Sequence, residues 1–86
     1  MHSPLVFTAH AKTMMDERMI QEDWVYRTVD SPDMTEERQE NERHYLKRIP
    51  ENGMRFLRVI VNPTTSPQRV ITVFIDRRVQ NHESNH

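Results

Sequence analysis

The sequence has no cysteine and a single glycine among its 86 residues. Without cysteine there is no disulfide, no thiolate nucleophile and no cysteine-ligated zinc site. One glycine is too few for any phosphate-cradling loop motif, each of which needs two or more. Apolar residues make up only 35% of the chain, and mean hydropathy is −0.87. No apolar run approaches the roughly 18 residues that span a bilayer. The segment Met1–Phe7 has neither a basic start nor a long apolar core. No signal peptide is therefore expected, and the cytoplasm is the expected compartment. An excess of charge of one sign is lacking too. The net charge of −1 argues against a protein that coats nucleic acid by charge alone.

What is present suits one small domain with a thin core. Charged residues are 29% of the chain, and they are unevenly spread. Residues 1–50 carry seven Lys/Arg against ten Asp/Glu; residues 51–86 carry five Arg against three acids. Every basic residue after Lys47 is arginine, which offers a planar fork to phosphate or carboxylate.

Thr8 is placed to cap a first helix over residues 9–18. Ala11, Met14, Met15 and Met19 form its apolar stripe. A second helix begins at Gln21, with Glu22 and Asp23 in its first turn where the helix dipole favours acids. Ile20 and Val25 have the spacing of a hydrophobic staple. Trp24, Val25, Thr28 and Val29 make its buried face, and Ser31-Pro32 stops it. Residues 33–42 are acidic with one apolar residue, Met34, and read equally as a short edge strand or a loop. A period-two pattern then takes over. Strands are expected at 43–49, at 54–61 with apolar residues on both faces, and at 69–76 with Ile71, Val73 and Ile75 on one face. Glu51-Asn52-Gly53 reads as a turn, and the polar tail 79–86 as disordered. The expected fold is α+β over residues 1–78: two N-terminal helices on one face of a three- to four-stranded antiparallel sheet.

Phe7-Thr8-Ala9-His10, with Arg18 two helical turns on, resembles the opening of the domain of unknown function 4258. Ile20-Gln21-Glu22-Asp23, the break at Ser31-Pro32-Asp33, and the strands His44-Tyr45-Leu46, Leu57-Arg58-Val59-Ile60-Val61 and Val70-Ile71-Thr72-Val73-Phe74 continue the likeness over roughly residues 5–78. That family is commonly grouped with RelE/BrnT-like bacterial toxins, small ribonucleases with helices on a curved antiparallel sheet. The resemblance thus implies a RelE-like architecture, an RNA substrate and an antitoxin-like protein partner. Such toxins are usually clearly basic, and this chain is not.

Metal-independent RNA cleavage needs a base, an acid and cations for the phosphorane charge. The residues suited to catalysis are His10, Arg18, His44 and Arg58, with Lys47, Arg77 and Arg78 as RNA-binding cations. His10 and Arg18 lie within about 80° on the helix surface but about 12 Å apart, so sheet residues would have to complete a site. Asp76 is placed to orient a cation. Plainer roles compete: His10 as a hydrogen-bonded bridge from helix to sheet, Arg18 as a C-terminal dipole cap, Tyr45 and Trp24 as core aromatics, the methionines as core filler. No histidine spacing supports a metal site, and no cofactor is expected. Three functions stay open: a toxin-like ribonuclease, a non-catalytic binding module of the same fold, and a homodimer formed by edge pairing. Convergence of His10, Arg18 and the strand arginines on one basic face favours the first; pairing of the arginines with local acids favours the second.

Overall fold

The computed structural model describes residues 4–78, so the tail at 79–86 lies outside the described residues. Strand β1 (Leu5–Phe7) leads into helices α1 (Ala9–Arg18) and α2 (Glu22–Asp30). Strands β2 (Met34–Gln39), β3 (Glu42–Ile49), β4 (Arg55–Asn62) and β5 (Gln68–Ile75) follow. A 3-10 turn at Pro50–Asn52 joins β3 to β4, with Gly53 in the left-handed region at φ 65°.

The α+β class holds, but the sheet differs from the expected three- to four-stranded antiparallel one. It is five-stranded and mixed, in the order β1-β5-β4-β3-β2. β1 runs parallel to β5, with Leu5 opposite Gln68 and Phe7 opposite Val70. The other pairings are antiparallel. Three residues are too few to show strand alternation, which is why β1 reads as a lead-in. The open reading of residues 33–42 resolves as the edge strand β2. With one partner and little burial, it has no need of a period-two apolar pattern.

Both helices cover one sheet face. Ala11, Ile20 and Val25 join Tyr45, Ile49, Leu57, Val59, Val61, Val70 and Val73 in a single core. Ile20 and Val25 are both buried in it, which is the staple geometry. Thr8 caps α1 by accepting from the Ala11 N–H at 3.0 Å, and its hydroxyl donates to the Ile71 carbonyl at 2.9 Å. Thr8, and not His10, is therefore the residue that bridges helix to sheet.

Two expectations within this core are corrected. Met19 is 78% exposed, because the helix ends at Arg18 and Met19 turns left-handed at φ 56°. The helical stripe stops applying there. In β5, Val70 and Val73 share the core although their spacing is odd. A bulge between Ile60 and Val61 of β4 and the facing Val70–Thr72 resets the alternation, so Val70 takes the inward place expected for Ile71.

Candidate functional site

The face of the sheet away from the helices carries an ion network built on Arg58. Alternation puts His44, Leu46 and Arg48 of β3 and Phe56, Arg58 and Ile60 of β4 on this face. Register places Arg58 opposite Leu46 and Phe74. Its diagonal neighbours are His44, which faces Ile60, and Asp76, whose N–H bonds to the Phe56 carbonyl at 2.9 Å. Diagonal positions are within reach of a long side chain.

Arg58 uses that reach in three directions. Its Nε donates to Asp76 Oδ2 at 2.6 Å. Its Nη1 donates to Glu36 Oε1 at 3.0 Å and meets His44 Nδ1 at 2.7 Å. Guanidinium has only donors, so Nδ1 accepts and the neutral ring carries its proton on Nε2. That Nε2 is buried and has no hydrogen-bond partner among the described residues. The nearest acid, Glu42 Oε2, lies 3.4 Å away without forming a bond.

Burial grades outward from this centre. The side chains of Arg58 and Asp76 are 4% and 1% exposed, whereas Glu36 is 37% and Arg38 51% exposed. Arg38 donates to Glu36 Oε1 from Nη2 at 2.6 Å and Nε at 3.1 Å. Arg78 closes over Asp76, its backbone N–H donating to Oδ1 at 3.0 Å. The Arg58 guanidinium, with Arg38 behind it, holds the Glu36 carboxyl below its usual range. For Asp76, burial pushes the carboxyl up, but the hydrogen bonds from Arg58 and Arg78 outweigh it and the group stays low. Burial likewise works against the charge on Arg58, and Glu36 and Asp76 more than restore it.

The seven expected site residues do not form one site. His44, Arg58 and Arg78 come together on the helix-free face around Asp76. His10 and Arg18 are exposed on α1, which packs on the other face, and neither pairs with another described residue. Lys47 also points to the helix side, where its Nζ donates to the Ser31 carbonyl at 2.8 Å. Arg77 is exposed just beyond β5. The arginines pair with local acids elsewhere as well. Arg43 bonds Glu37. Arg27 bonds Asp23 and Glu51, which holds the Glu51 carboxyl down at about 2.

Sequence reasoning counted Glu36 only as one of the acids of residues 33–42, missed Arg38, and gave Asp76 a cation to orient without pointing to Arg58. The only available signal was the alternation Met34, Glu36, Arg38, which carries no apolar marker. Among the described residues no group of three or more His, Asp or Glu side chains could hold a metal ion. A groove of about 500 Å³ lined by Phe7, Met15, Met19 and Ile20 lies near the α1–α2 junction, away from Arg58. Among the described residues no helix is long and apolar enough to cross a membrane.

The family model described as domain of unknown function (DUF4258) matches residues 7–75. The chain belongs to that family. It has no significant match among the curated proteins or the solved structures.

Proposed function

We propose that this member of the DUF4258 family is a non-catalytic binding module whose partner docks on the helix-free sheet face. One observation carries the reading: the cation at the centre of that face is already neutralised. Arg58 spends three of its five N–H donors on Asp76, Glu36 and His44. A cation that stabilises a phosphorane must turn its donors towards the phosphate, and here the carboxylates hold them. Glu36 and Glu42 also set negative charge beside His44, against an incoming polyanion. The surroundings suit a protein partner better. The exposed Met34 and half-buried Phe74 lie on the same face as the charged centre, over the buried Phe56 and Ile60, and an arginine beside apolar side chains is a common docking composition.

His44 favours a second reading, the toxin-like ribonuclease. Its Nε2 is buried without a partner, and an imidazole so placed is suited to proton transfer. The RelE/BrnT-like grouping that the family resemblance implies would put His44 in the role of acid or base, with Arg58 released to the phosphate. Induced expression separates the two. Wild type is expressed beside His10→Ala, Arg18→Ala and His44→Ala, with total RNA examined in parallel. The module reading expects growth without arrest and intact RNA in all four strains. Arrest with RNA cleavage, lost only in soluble, folded His44→Ala, would make the chain a ribonuclease with its site on the helix-free face.

A further inference from the structure

We infer that Glu36 stands in for a carboxylate of the partner, and that Arg58 and Arg38 form the receptor it vacates. This inference rests on the binding-module reading and names the chemistry of the partner group. Three guanidinium N–H groups converge on one oxygen, Glu36 Oε1: Arg58 Nη1 at 3.0 Å, Arg38 Nη2 at 2.6 Å and Arg38 Nε at 3.1 Å. Such a set of aimed, charged donors is what recognises a carboxylate.

The two acids that hold Arg58 are not equivalent. Asp76 is 1% exposed and is fixed from behind by the Arg78 backbone N–H. Glu36 is 37% exposed and sits on β2, an edge strand whose one sheet partner is β3. The β2–β3 register shifts between Glu37 and Gln39, beside Arg38, where the ladder is locally interrupted. Glu36 is therefore the acid that can leave.

With Glu36 gone, Arg58 keeps its counter-charge in Asp76, 2.6 Å from Nε, but its Nη1 loses an acceptor. Another carboxylate arriving at that donor makes the event an exchange. Next to the receptor, the buried His44 Nε2–H is a donor without an acceptor. Glu42 Oε2 lies 3.4 Å from it without forming a hydrogen bond.

Charge selects the incoming group. Exchange of one carboxylate for another keeps the cluster balanced. A nucleic acid would bring a row of charges against Glu42, on the His44 face, and against a chain of net charge −1. The partner is accordingly a protein segment that presents a single Asp or Glu among apolar residues.

The test uses the full chain and its Glu36→Ala variant, melted near neutral pH in chloride, acetate or phosphate at matched ionic strength. Wild type melts alike in all three. Glu36→Ala melts about 4–8 °C lower in chloride, and acetate returns most of that loss while phosphate does not. The gain disappears when Arg38→Ala is added. No gain in acetate over chloride overturns the inference, and a gain in phosphate alone overturns it in favour of a phosphate-bearing ligand. A titration of wild type with N-acetyl-glutamate amide, followed by the arginine Nε–H resonances, keeps the test valid if Glu36→Ala fails to fold. Saturable movement of Arg58 and Arg38 is expected, and its absence contradicts the exchange. RNA cleavage in the expression experiment would sink the module reading whatever acetate does; failure in acetate sinks only the exchange.

Discussion

Truncating Arg58 leaves Asp76, whose side chain is 1% exposed, without its main cation. Arg58→Ala should therefore lose about 3–5 kcal/mol, the range seen when one member of a buried ion pair is removed. Chemical denaturation measures this, and a loss within that of an ordinary surface substitution would show that the network is not buried in solution. The same residues set the acid limit of stability. Glu36 and Asp76 are both held below their ordinary values in the folded chain, Glu36 by Arg58 and Arg38, Asp76 by Arg58 and Arg78 against the effect of burial. A carboxyl that is lower folded than unfolded stabilises the fold above its unfolded value and loses that contribution as pH falls through the folded one. The melting temperature should thus be flat near neutrality and fall below about pH 4.5. In Glu36→Gln the fall should be shallower, and an unchanged slope would remove Glu36 from the account. At this scale the sequence was half legible. Alternation alone places His44 and Arg58 each on one face of its own strand. Their meeting with Glu36 and Asp76 depends on diagonal register across four strands, which no local pattern encodes.

Helix α1 ends in a residue that fits its backbone poorly. Met19 holds φ 56°, where a side chain costs about 1–2 kcal/mol and glycine is at ease. Its side chain is largely in solvent, so little packing is lost on removal. Met19→Gly should raise stability by up to about 1 kcal/mol, after the entropy that glycine adds to the unfolded chain. A lower melting temperature would mean that Met19 packs in a way its exposure does not reveal. Thr8, the staple of Ile20 and Val25, and the turn before β4 were all legible, because each is a short-range device with its own sequence mark. The short β1, the apolar-poor β2 and the bulge in β5 were not. β1 is too short and β2 too polar to show an apolar alternation, and the bulge exchanges Val70 for Ile71 with no change in composition. Charge on β2 has a further consequence. Glu36, Glu37 and Arg38 line an edge that would otherwise pair with a second copy, and edge charges oppose such pairing.

At the scale of the whole molecule, the two sheet faces have different contents. One is a conventional apolar core under two helices. The other buries His44, Leu46, Phe56, Arg58, Ile60 and Asp76 with no helix over it among the described residues. The α+β class and the helix-covered face followed from periodicity, since burying apolar stripes decides them. The charged face did not, because near-neutral composition is equally compatible with scattered surface ions and with one paired network. On the binding-module reading, this pairing leaves no receptive surface for a polyanion. Binding of a fluorescent single-stranded RNA, followed by anisotropy across a salt series at neutral pH, tests it most directly. No saturable binding at physiological salt is the predicted result. Micromolar binding that weakens steeply with salt and is lost in a folded Arg58→Lys variant would contradict it.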